Sequence, residues 1–97
     1  MHFAFLVLKE HPYGREMLRI LLERGFVPAL IIEEDSEIAD EERAKFLTRI
    51  AGQPVPPAIA ALADGYDIPR IEVPNHNGKR CQRALEALQP ELLVLGG

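Results

Sequence analysis

The 97-residue sequence predicts an α/β protein: a four-stranded parallel sheet flanked by helices. Three observations predict it. Short, nearly unbroken apolar runs recur, with "HFAFLVL" at the start and "LLVL" near the end, as in strands buried on both faces. Segments with apolar residues at helical spacing separate them, and this alternation implies right-handed crossovers and a parallel sheet. Finally, Pro12, Gly25, Gly52, Gly65 and Pro90 stand at the joints between the two kinds of pattern, where chain-breaking residues belong.

The first strand spans His2–Leu8. The helix after it begins at Pro12, which suits a first helical position, and stops at Gly25. Met17, Ile20, Leu21 and Arg24 repeat along it at helical spacing. "FVPALII", Phe26–Ile32, is the second strand. Pro28 removes one ladder donor there, which places it at a weakly paired beginning or near an edge.

Seven of the ten residues from Glu33 to Glu42 are acidic. They open a second helix from about Glu37 to Ala51, capped by Ser36 or Asp35, where carboxylates suit the positive end of the dipole. Ala39, Phe46, Leu47 and Ile50 form its apolar face. Glu33 and Glu34 are read as solvated residues at the helix entry; without a G-x-G-x-x-G turn they do not make a nucleotide-ribose site. "QPVPP" is a rigid extended connector, followed by a short helix from Pro57 to Asp64. The third strand is Arg70–Val73. The last helix is capped by Asn77 and carries Cys81, Ala84, Leu85 and Leu88 on one face, and "ELLVLGG" is the fourth strand.

If the first three strands take the usual mononucleotide-binding order, the sheet runs 3-2-1-4. The fourth strand is then an edge as apolar as a central strand, and such an edge invites association. Its expected cover is further polypeptide or a second copy of the chain.

Composition narrows the function. Net charge is −4 and the excess lies in the acidic stretch, so nucleic acid is not an expected partner. No apolar run approaches the about 20 residues needed to cross a bilayer, so no membrane is expected, and the start lacks the basic region of a signal peptide. One cysteine, Cys81, allows no internal disulfide and fits a cytoplasmic location. On the stripe of its helix it reads as a small buried hydrophobe. His2, His11 and His76 have no ligand-type spacing, so no metal site is expected.

"GYDIPRIEVPNHNGKRCQRALEALQPELLVLGG", Gly65–Gly97, resembles the first-domain signature of folate-dependent formyltransferases. In that family an "IP" leads into strand three, and a helix ends in an "xPDLIVV"-type strand followed by a small-residue loop. The opening "FLVL" and "LLERGFVPALII" also fit the family's beginning. The family includes methionyl-tRNA formyltransferase, aminosugar N-formyltransferases and glycinamide ribonucleotide transformylase. The resemblance implies the amino-terminal half of a Rossmann-like domain that transfers a formyl group from 10-formyltetrahydrofolate to an amine.

The family's Asn–His–Asp set is not carried. Its Asn and His come from an "N-x-H-x-S-L-L-P"-like segment after the next strand, and Asn75-His76-Asn77 precedes strand four and lacks Ser-Leu-Leu-Pro. No catalytic residue is therefore assigned, and the chain alone is expected to be inactive and to bind no folate tightly. The resemblance places the opening of the cofactor loop at Leu95, Gly96 and Gly97.

For a small-molecule substrate the candidates are Lys9, His11, Gly14 and Arg15, in the turn from strand one to helix one, and His76 after strand three. A helix start with two permanent cations can hold an anion, although one glycine makes a poor cradle. The alternative is a non-catalytic α/β binding or dimerisation module. A receiver-type signalling domain is disfavoured by Lys9 and Glu10, which stand where paired acids are expected.

Overall fold

The computed structural model describes residues 1–96. The elements are β1 (Phe3–Leu8), α1 (Pro12–Glu23), β2 (Leu30–Glu34), α2 (Glu37–Arg49), α3 (Ile59–Gly65), β3 (Arg70–Val73), α4 (Lys79–Leu88) and β4 (Leu92–Leu95). All strand pairs are parallel and their order is β3-β2-β1-β4, as expected. The sheet is Rossmann-like, with β1 central between β2 and β4.

Side-chain alternation divides the core between two faces. Phe5, Val7 and Ile31 point to one face and pack with Leu18 and Leu22 of α1 and Ile59 and Ala63 of α3. Ala4, Leu6, Ile32 and Val73 point to the other, where Cys81 of α4 is fully buried among them. Each large apolar side chain buried this way stabilises the fold by about 1.5–3 kcal/mol.

Four elements differ from the reading of the sequence. The buried stripe of α1 is Gly14, Leu18 and Leu22, while Met17 and Ile20 face outward. Sequence spacing alone allows either stripe, and the close approach that Gly14 permits selects this one. Strand β2 starts at Leu30 rather than Phe26. Pro28 has no N–H to pair, and the first bond from this segment to β1 is the Ala29 N–H to the Phe3 carbonyl, at 2.8 Å. Helix α2 has only Ala39 buried; Ile38 and Leu47 are exposed, so the helix rests loosely on the body. Helix α4 is entered from Gly78 and has no side-chain cap. Asn77 instead donates its N–H to Asn75 Oδ1 at 2.7 Å, which fixes the turn ahead of the helix.

Other local expectations are met. Ser36 Oγ accepts the Ala39 N–H and caps α2. Gly25, at φ 85°, closes α1: its N–H bonds to the Leu22 carbonyl and the Phe26 N–H to the Leu21 carbonyl. Those two bonds satisfy carbonyls that the helix end would leave free.

The two edges of the sheet are unlike. Edge strand β3 carries Arg70 and Glu72 and lies between Pro69 and Pro74, which discourages pairing with another strand. Edge strand β4 is Leu-Leu-Val-Leu, with Leu92 at 38%, Leu93 at 46% and Leu95 at 69% exposure. Beside it, Met1, Phe3, Leu21, Phe26, Leu92 and Val94 line an apolar cleft of about 290 Å³.

Candidate functional site

From β1 the chain winds outward through β2 to β3, then crosses back to place β4 on the other side of β1. The crevice at the carboxyl ends of β1 and β4 is therefore the switch point at which open α/β sheets receive ligands. The turn from β1 into α1 forms one wall, and Leu95 and Gly96 form the other. Gly97 lies outside the described residues.

Two glycines set the shape of this crevice. A Cβ on Gly14 would stand 2.2 Å from Val7 Cγ2 and 2.9 Å from the Gly96 carbonyl oxygen. A Cβ on Gly96 would stand 2.3 Å from Phe5 Cζ. All these distances are far inside van der Waals contact, so neither position has room for a side chain: Gly14 faces the Val7 side chain and the Gly96 carbonyl, and Gly96 faces the Phe5 ring. The Gly96 N–H continues the sheet by bonding to the Leu6 carbonyl at 2.8 Å. Leu95 lies exposed on the rim. Gly14 thus serves close packing of α1 on β1.

The cations nominated from the sequence are matched within the chain. Lys9 Nζ lies 3.4 Å from Asp35 and 3.5 Å from Glu72, and these carboxylates, Glu72 foremost, raise its pKa. Arg15 Nε donates to the Glu10 carbonyl at 3.0 Å and pairs with the Glu10 carboxylate at 3.3 Å. His11 is 2% exposed and caps α1, its Nδ1 accepting the Tyr13 N–H at 3.2 Å. Burial pushes its pKa down, against a smaller upward pull from Glu42. His76 is half-buried: its N–H donates to Glu34 Oε1 at 3.0 Å and its ring Nε2 lies 3.0 Å from the Ile32 carbonyl. The structure thus gathers Lys9, His11, Gly14 and Arg15 around one turn, while His76 belongs to the β2–β3 end of the sheet.

The carboxylates that organise this surface were not legible as such. Glu33, read as solvated, is fully buried at the end of β2 and paired with Arg70 Nη1 at 2.6 Å. It also accepts the Glu10 N–H at 3.1 Å. Arg70 in turn has its pKa raised, chiefly by its hydrogen bond to Glu33. Glu34 accepts from Ser36 Oγ and from the His76 N–H, tying β2 to the loop after β3. Glu10, at φ 49°, reaches the start of α3, where its carboxylate accepts the Ile59 N–H at 2.6 Å and the Ala60 N–H at 3.2 Å. Its carboxylate stands in for the side-chain cap that Ala58 does not provide. One signal for Glu33 was available: it follows Ile31 by two residues, so it shares the face of a buried strand position.

These arrangements hold the strand ends rigidly and satisfy their own charges. Among the described residues, no three His, Cys, Asp or Glu side chains cluster as a metal site. The cavity of about 550 Å³ lined by Pro12, Tyr13, Ile50, Pro54 and Pro57 lies between α1 and the proline-rich connector. Leu95 and Gly96 form one wall of the crevice. The chain matches neither any model of a known protein family nor any curated protein with which it was compared.

Proposed function

We propose that the chain is the amino-terminal, ligand-facing half of a formyltransferase-type domain, which supplies one wall of the crevice and leaves proton transfer to polypeptide paired with β4. The observation that carries this reading is β4 itself: four apolar residues, next to the switch point, with an open edge. A strand of that composition is built to have neighbours on both sides. The "QPELLVLGG" resemblance supplies the family.

Formyl transfer to an amine needs a base for the amine's proton and a dipole for the tetrahedral oxyanion. Neither is expected from the side chains of the β1–α1 turn. Lys9 and Arg15 are engaged with carboxylates, and His11 holds the helix start. The contribution of this half is placement: the Gly14–Gly96 contact fixes the floor of the crevice, and Leu95 stands at its rim.

Reading the DNA that follows Gly97 tests the proposal. An "N-x-H-x-S-L-L-P"-like segment is expected within about 10–15 residues, given usual connection lengths in α/β folds. A stop codon there sinks the half-domain reading. The chain alone, given 10-formyltetrahydrofolate and an amine acceptor, is expected to show no turnover. Turnover abolished by mutating this chain contradicts that expectation.

A second reading, a stand-alone association module, draws on the same bare strand together with the internally matched cations. It requires a stop codon and a dimer in solution, so the two readings separate cleanly.

A further inference from the structure

We propose that His11 is a pH-sensitive latch: it fastens the start of α1 and its contact with α2 only while its ring is neutral, and releases them in mild acid. The geometry carries this. The imidazole is the N-cap of α1, and its Nδ1 accepts the Tyr13 N–H at 3.2 Å. A ring nitrogen accepts only through its lone pair, and the imidazolium has none. Protonation therefore turns this contact from donor–acceptor into donor–donor. Serine, asparagine or aspartate, the usual caps, would keep an acceptor across the same pH range.

The ring is also a spacer between helices. It is 2% exposed and packs edge-on against Phe46 of α2 with centroids 4.6 Å apart, and Tyr13 lies 4.5 Å from the same Phe46 ring. A charge placed there loses water and gains little in return. The charged groups around it are largely committed. Lys9 at the end of β1 faces Asp35 and Glu72, and Glu10 and Arg15 pair with each other. On α2, Arg43 holds the Lys9 carbonyl and Arg49 lies over Phe46, both cationic. Glu42 alone favours the charged ring, and its pull is weaker than the desolvation.

The sign follows. The folded-state pKa lies below the free value, about 6.5, so the unfolded chain takes up the proton first. The cap contributes fully above that free value and is lost as pH falls through the folded pKa. Because Gly14, in the same first turn, touches Gly96, loosening this turn also loosens the β1/β4 crevice.

The test is an NMR titration of the full chain from pH 8 to pH 4.5, following the His11 ring and the Tyr13 amide. The ring is expected to titrate below its free value, with the Tyr13 amide shift moving at the same midpoint. Thermal unfolding gives the second readout. Between pH 7.5 and 5 the native chain should lose about 4–8 °C more than His11→Asn, the shift expected for one lost cap in a domain of this size. A Tyr13 amide that stays unmoved while the ring titrates overturns the proposal. So does a His11→Asn melting profile that parallels the native one. If His11→Asn fails to fold, the titration of the native chain decides alone.

Discussion

At the scale of single residues, three positions show how much hangs on contacts that composition does not reveal. Gly14 allows α1 to touch β1, and the obstacle to any side chain there is Val7. Gly14→Ala is expected to cost about 1–3 kcal/mol by overpacking. Adding Val7→Ala should recover part of that loss, so the two changes are non-additive in urea unfolding; strict additivity would refute the contact. Glu33 is sealed with its cation partly outside, Arg70 being 31% exposed. Arg70→Met should destabilise the fold by about 3 kcal/mol, the low end for a broken buried pair, because water reaches the remaining carboxylate on one side. Glu33→Gln on that background should restore part of it, measured by the same unfolding curves. Cys81 is fully enclosed and burial pushes its thiol pKa up. A thiol reagent is therefore expected to react no faster than the protein opens, and rapid labelling of the native chain would contradict the packing of α4.

At the scale of elements, order and type were legible, and boundaries were legible where one local cause decides them. Gly25 ends α1 and Ser36 begins α2 as their chemistry requires. The alternating pattern implied a parallel sheet, and the usual mononucleotide-binding order of the first three strands matches the order observed. Three failures have a common physical origin. The face of α1, the start of β2 and the burial of Glu33 depend on partners distant in sequence: Val7 and Gly96, Phe3, and Arg70. No local window contains them. The same reasoning limited the candidate site, because the cations were visible one by one while the carboxylates that consume them lie 26 to 63 positions away for Lys9. Helix α2 is thirteen residues long and has Ala39 as its sole buried residue. Its amides should exchange with deuterium well before those of β1, and Ser36→Ala should cost about 1 kcal/mol through its lost cap. Equal protection of α2 and β1 would show that the helix docks more firmly than its burial implies.

At the scale of the whole molecule, the sheet contains two interior strands, one guarded edge and one open edge. Concentrated solutions of the chain are expected to associate, and Leu93→Lys should suppress this by placing a charge on the open strand. Light scattering that shows monomers of the native chain at high concentration would count against the open-edge reading. Because the opposite rim is closed by Pro69, Pro74 and two charges, each copy offers a single sticky flank. Two copies meeting flank to flank across a two-fold axis use up both. Growth is then expected to halt at a pair, so sedimentation of concentrated solutions should show particles of twice the single-chain mass and no fibrils.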